Sequence, residues 1–578
     1  MEPTGILAKF SWDFTSRSSR KTGIAGGLFA SGNFAELVRT TRVRCATAFC
    51  KDAMQLQGLS SGWCSMQRPQ NTERQTGRAA SPLFPVDTRV RRIAGACVAL
   101  LLFALVVGGP RWAQSSPTSE LEFHSSNPSL NESFQWAKRQ ALYYLRSDGA
   151  IGPWYEAALP GRDAFCMRDV SHQAEGAAAL GLFAANKNMI HRFADSVAAS
   201  RNWAAFWEID GRDGKPSTFD YVSDDDFWFN LPANFDVLDA AVRMWRWTGD
   251  NSYRDDSRFQ TFFRKTLTDY IAQWQLGPDQ LLTRPRIANQ RQVQGKFADS
   301  RGIPSYVEDS KDFIFGTDLL AAEYRAIRSY QEIAVRPEDK ALAFHLQKSA
   351  DAIQNILETV AWDQEHGHFV GAIRKDLSGY GSGDTFALYF SAIKNPSHTR
   401  GALAHISDPA YWKQINTEEE SYVPFVLFRY GKPEIAYQVL LDLADPKKPR
   451  REYPEVSYAV VAAIISSAMG IEPSRAGDNY DVQTLPHSLP KTDSVSVSSL
   501  RLRGRVLDIW HRGSGETRFR NREGTAIRWM AAFDGTADKL RVNGRLVRAS
   551  HAMTRGGLAM SFVINTVEPG ATAVVTTH

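Results

Sequence analysis

Cysteine is nearly missing from the part of this chain that reads as folded. Four of the 5 cysteines, Cys45, Cys50, Cys64 and Cys97, precede residue 100, and only Cys166 follows. No intramolecular disulfide is expected in the later part. With no Cys-x-x-Cys pair and no Cys/His ligand spacing, neither is a structural zinc, and no metal or other cofactor is expected. Long apolar runs are also scarce. The one present, Ile93–Val107, is short for a membrane span, which wants about 20 residues. The formal net charge is only +5. Up to Arg92 there are 14 Lys and Arg against 6 acids, so the whole surplus sits in that segment. The basic balance is therefore no argument for a nucleic-acid partner.

Residues 1–92 have no sustained period and many Ser, Thr, Gly, Gln and Arg. They are expected to be a disordered leader, or translation from outside the gene with synthesis starting near Val86 or Val90. Residues 93–115 follow Arg89, Arg91 and Arg92 and end in Ala113-Gln-Ser115 after Gly108-Gly-Pro110. That is the layout of a bacterial signal peptide, with an uncleaved transmembrane helix over 93–109 as the alternative. Either predicts export to the periplasm or beyond, and membrane contact only through that segment.

From 129 to 471 apolar residues recur at helical spacing in about ten to twelve segments. Examples are Glu175–Asn186, Ala194–Trp207, Asn234–Trp247, Asp318–Ala334 and Glu455–Met469. Paired helices repeating in this way predict a mainly α domain, an (α/α)6 toroid of helical hairpins with a pocket where the inner helices begin. Glu472–Lys491 reads as a linker. Residues 494–578 alternate apolar and polar between turns such as Asn543-Gly544, which predicts a small C-terminal antiparallel β-sandwich.

Acids gather just before or inside the expected inner helices. The clusters include Arg168-Asp169 with His172 and Gln173, Asp224-Asp225-Asp226 with Asn230 and Asn234, Glu308-Asp309, Asp318, Asp384, Glu418-Glu419-Glu420 and Glu455. Each acid could simply cap a helix or complement its dipole, worth about 0.3–2 kcal/mol. Together they place carboxyl groups along one rim, beside Trp154, Trp228 and Tyr422. Such a surface suits a neutral polyhydroxylated ligand, since aromatic faces stack on sugars and carboxylates repel phosphates. Glycoside hydrolysis needs two such groups, one donating a proton and one activating water or attacking carbon. The Asp224–Asp226 triplet lacks the second acidic set a diphosphate-bound magnesium would want. His172 has no Gly-x-Ser-x-Gly elbow beside it, and Cys166 reads as a buried filler.

The blocks Gly161–Gln173, Asp225–Asp236 and Arg451–Tyr458 resemble bacterial six-hairpin glycosidases, a superfamily that includes glucoamylases and α-L-rhamnosidases. The aspartate-arginine-glutamate motif of well-known rhamnosidases is missing. The resemblance implies carbohydrate metabolism and a hydrolase that releases a terminal sugar with inversion. It assigns Arg168, Asp169, His172 and Gln173 to substrate binding, with Trp154, Trp228, Asn230, Asn234 and Tyr422 around them. By helix order it makes Glu308 or Asp309 the acid and Glu455 the base, with Glu420 as rival base and Asp225 or Asp226 as rival acid. The alternatives are a polysaccharide lyase or sugar epimerase on the same scaffold, and a carbohydrate-binding protein without catalysis.

Overall fold

The computed structural model describes residues 119–577 apart from 148, 289–293 and 309–310. The leader, the apolar segment 93–109 and Asp309 lie outside the described residues. Among the described residues no helix is long and apolar enough to cross a membrane.

The helices start where the chain supplies a cap or a proline. Asn127 accepts from the Ser129 and Leu130 amides and Pro128 opens the first helix, Pro128–Tyr143. Pro232, Pro337, Pro396, Pro433 and Pro454 likewise lie at helix starts. One set of helices packs side by side in chain order. Met167–Ala179 packs on Pro232–Thr248, which packs on Thr317–Ile333, then Asp384–Tyr389, then Val423–Arg429. The last, Pro454–Ala462 with its continuation to Ala468, packs on Val423–Arg429 and back on Met167–Ala179. The helices between them in sequence, such as Phe183–Ser196, Pro337–Ile356 and Pro433–Leu443, pack against this set.

A glycine lets two helices of this set approach closely. A Cβ on Gly176 would lie 2.1 Å from the carbonyl oxygen of Tyr458 in the neighbouring helix. The missing side chain lets the two backbones touch.

Two sheets account for the rest. The seven-stranded sheet holds Ser494–Leu502, Arg505–Arg512 and Glu516–Glu523, and its edge strand is Glu122–Ser125, from before the first helix. The five-stranded sheet includes Ile527–Asp534 and Ala559–Val567. The protein is thus helix-rich with a sandwich-like β region.

Three expectations change. Apolar spacing carries on across Glu175–Asn186, but the helix ends at Ala179 and turns at Gly181, whose φ is +79°. Ala194–Trp207 is helical only to Ser196; Asn202 and Trp203 take positive φ and force a turn. The expected linker contributes strands Glu472–Pro473 and Val482–Thr484 to the five-stranded sheet, the second running parallel to Ile527–Asp534.

Candidate functional site

Arg168 and Asp169 occupy the first turn of the Met167–Ala179 helix, held by a short ribbon before it. Ala164–Cys166 pairs with Glu208–Asp210, setting Cys166 opposite Glu208. The Cys166 thiol donates to Asp169 Oδ2 at 3.0 Å. Burial and the neighbouring acids push that thiol well above its ordinary range, so it stays a donor. Cys166 is buried as expected, but it also orients a carboxylate.

Arg168 is the hub. Its guanidinium lies 4.6 Å from the centre of the Tyr306 ring. Its charge acts on Asp169, Asp236, Asp318, Glu419 and Glu455, contributed by four other helices or their approaches as well as its own. Glu455, in the first turn of Pro454–Ala462, shares a side-chain hydrogen bond with Asp169. Burial raises both groups. The Asp169 charge pushes Glu455 well above the carboxylate range, whereas Arg168 and the Glu455 hydroxyl hold Asp169 down. Both carboxyls are thus raised, Glu455 the more strongly, and they take up and release protons as a pair.

Tyr306 joins the next two acids. Its hydroxyl donates to Asp236 Oδ2, and its amide donates to Asp318 Oδ2 at 2.5 Å. Asp318 also accepts from Ser305 Oγ at 3.0 Å. Burial pushes Asp236 up to about 7 and Asp318 up to about 6. Glu208, buried beside Asp220, is pushed up to about 7. Two residues beyond Tyr306, Glu308 accepts from Asn230 Nδ2 at 2.7 Å, and Asn230 also binds the Ser305 carbonyl.

An aromatic wall adjoins the acids. His172 stacks on Tyr422 with ring centres 3.6 Å apart, and Phe386 meets Tyr422 edge-on at 5.2 Å. His172 Nε2 lies 2.8 Å from Ser421 Oγ, whose own proton goes to the Glu418 carbonyl. The imidazole must then carry its proton on Nε2, leaving Nδ1 bare. Burial and two arginines drive its pKa well below the ordinary value, so it is neutral.

Of the residues read from sequence, the structure brings together Arg168, Asp169, His172, Tyr422 and Glu455, and it ties Asn230 to Glu308. Arg168, Tyr422 and Glu455 keep 8%, 6% and 7% exposure, whereas Gln173, Asn234 and Glu420 keep none. Gln173 is interior, with no hydrogen-bond partner for its amide. Asn234 serves the Ala205 amide and the Trp203 carbonyl. Trp154 is buried against Phe165, and Trp228 is half-buried. Glu420 turns to Lys448. Asp226 accepts from the amides of Lys296 and Phe297, bracing a loop, and Asp225 is exposed.

Tyr306, Asp236 and Glu208 went unread as site residues. Asp236 carried a signal, an acid near the start of an otherwise apolar helix face. Glu208 carried none, because its strand lies where helical spacing continues. One group of metal-ligand type occurs among the described residues: His368, Asp384 and His405, with ligand atoms within 4.8 Å. Hydrogen bonds account for its arrangement: His405 Nδ1 lies 2.6 Å from Asp384, and His368 Nδ1 lies 2.9 Å from the Phe369 carbonyl.

No protein-family model and no curated protein matches the sequence. Among solved structures, an α-L-rhamnosidase from Dictyoglumus thermophilum superposes with a TM-score of 0.55 at 12% identity, covering 79% of this chain and 50% of that one. Streptomyces avermitilis α-L-rhamnosidase complexed with L-rhamnose gives 0.49 at 14% identity over 80% and 42%. A GH78 family rhamnosidase of Bacillus sp. GL1 gives 0.49 at 13% over 70% and 41%. The first likeness shows a shared fold; the two below 0.5 add no weight. The chain spans about half the length of the Dictyoglumus protein.

Proposed function

We propose that the helical hairpins form an (α/α)6 toroid and that the chain is an exported glycoside hydrolase, releasing a terminal sugar at the end where the inner helices begin. The observation that carries this reading is the close pair of carboxyl groups, Asp169 and Glu455, beside Arg168, in a cluster of acids walled by aromatic rings. A site with one protonated and one ionised carboxyl group can donate to a leaving oxygen and activate water.

In this reading Arg168 and Asp169 grip sugar hydroxyls. Glu455 holds the proton and is the general acid. Glu308 accepts from the Asn230 amide and lies near the Arg286 charge. It is the base that activates water, giving inversion. These roles reverse the order that the family resemblance implies. The rhamnosidase neighbours make L-rhamnosides the first substrates to try.

The test is hydrolysis of a panel of aryl glycosides, oligosaccharides and glycosyl fluorides by wild type, Glu455→Gln and Glu308→Gln. Loss of the acid is expected to cost about 10²- to 10⁴-fold on poor leaving groups. It should cost little on a fluoride, which needs no protonation. Glu455→Gln is expected to show that pattern and Glu308→Gln to lose both substrates alike; the opposite pattern exchanges the roles. Ultraviolet-absorbing unsaturated products with no hydrolysis would replace this reading with a lyase.

A further inference from the structure

The opposite ends of the same helices enclose a second polar space in which arginines outnumber the acids Glu175, Asp239, Glu472 and Asp478. Two adjoining cavities, of about 70 and 260 Å³, share Arg429, Ser466, Glu472, Arg475 and Arg555 in their walls. Together they exceed the volume of one water several-fold.

Most of the cationic side chains here have evident structural work. Arg325 Nε donates to Asp239 at 2.8 Å and Arg243 Nε to the same carboxylate at 2.9 Å. Arg246 grips Glu332 with two bonds. Arg429 donates to the Tyr389 carbonyl at 2.5 Å, at the end of a helix where a cation complements the dipole.

Arg555 is different. It comes from the turn before Ala559–Val567, in the sheet region, and makes no hydrogen bond or ion pair with a described residue. Its surroundings are adverse. Burial and the charges of Arg325, Arg475 and Arg429 depress its pKa well below the ordinary value, against Glu472 alone. Two hydroxyls add an independent sign. Ser466 Oγ, on a residue 3% exposed in the shared wall, has no partner. Ser391 Oγ, buried and equally unpartnered, lines the neighbouring recess that Arg475 and Arg555 also face. Arg555 is partly exposed, with no hydrogen-bond partner and with Glu472 as the one acid acting on it, and donors left unmet beside buried hydroxyls without partners are costly as they stand.

We propose that this cavity binds a small tetrahedral oxyanion, of the phosphate or sulfate type, held by Arg555, Arg475 and Ser466. The ion adds negative charge to that of Glu472 and accepts from the unpartnered donors, bracing the sheet region against the helix ends. Arg555, Arg475 and Ser466 have no part in the hydrolase reading, so the proposal does not depend on it.

The test is thermal unfolding and titration calorimetry of the full chain in chloride buffer, with sodium phosphate or sulfate added at fixed ionic strength. The expected result is a saturable rise in Tm that chloride does not produce. Arg555→Met should unfold at a higher temperature than wild type without phosphate, because it removes repulsion, and should lose the phosphate response. Ser466→Ala should bind about tenfold more weakly, as expected for one lost charge-assisted hydrogen bond. Arg475→Gln, at an exposed position, serves if Arg555→Met does not fold, and should also weaken binding. Hydrolytic activity should be unchanged in all three. Glucose 6-phosphate protecting better than inorganic phosphate would assign the cavity to a phosphorylated sugar; inorganic phosphate acting alone would assign it to the free ion. A response equal to that of chloride, or one the variants leave intact, overturns the proposal.

Discussion

At the residue scale, burial outweighs helix position. Asp169, Asp318 and Glu455 sit in first turns of helices, where the dipole favours the ionised form. Burial heads the causes for each, and all three are raised. Asp236 turns this into a stability effect. Its folded pKa, about 7, exceeds the ordinary unfolded carboxylate value. Below about pH 4 both states hold the proton, and the group has no cost. As pH rises towards 7 the unfolded chain releases its proton first, so stability falls. Asp236→Asn removes that loss while keeping an acceptor for Tyr306. Its unfolding free energy is expected to match wild type near pH 4 and exceed it increasingly up to pH 8, by an amount on the order of a few kcal/mol. Unfolding curves across that range check it; a constant difference would mean that the carboxyl does not titrate as described.

At the scale of elements, the close contact between Met167–Ala179 and Pro454–Ala462 sets the geometry of the site. These two helices carry Asp169 and Glu455, so their spacing fixes the carboxyl pair. Gly176→Ala gains helix propensity worth about 1 kcal/mol. Against that, its methyl would lie 2.1 Å from a backbone oxygen that cannot rotate away. The clash should win, with a net loss of about 1–3 kcal/mol. If the helices part to relieve it, activity falls more than stability does. Denaturant unfolding beside kinetics distinguishes the two effects.

For the whole molecule, the sheet region and the helices are joined through the chain ends. The edge strand Glu122–Ser125 belongs to a sheet whose other strands all lie from Ser494 onward, so the helical region is inserted between strands of one sheet. Phe123, 1% exposed, packs on Phe134 of the first helix with ring centres 4.7 Å apart. Phe123→Ala is expected to cost about 3–5 kcal/mol. Calorimetry should show one unfolding transition for helices and sheets together. Two separated transitions in wild type would overturn this view of a shared core.

The sequence by itself determined the succession of helices, because apolar spacing and proline starts are local signals. It also determined the β-rich end, through alternation and turns, and the gathering of acids at helix starts. Asn234–Trp247 and Asp318–Ala334 were legible for that reason, and so were Arg168, Asp169 and Glu455 as a group of interest. Only the tertiary structure decided which acids meet. Asp169 and Glu455 are almost 300 residues apart in sequence, and nothing local says that their helices touch at Gly176. The same holds for Glu420, indistinguishable from its neighbours in sequence until Lys448 is seen to hold it. Strand pairing was equally out of reach: Glu122–Ser125 is a short polar stretch whose partner lies across the whole helical region. Helices follow from contacts within a few residues, whereas the coupling of two carboxyl groups follows from burial and charge, which exist only once distant segments pack.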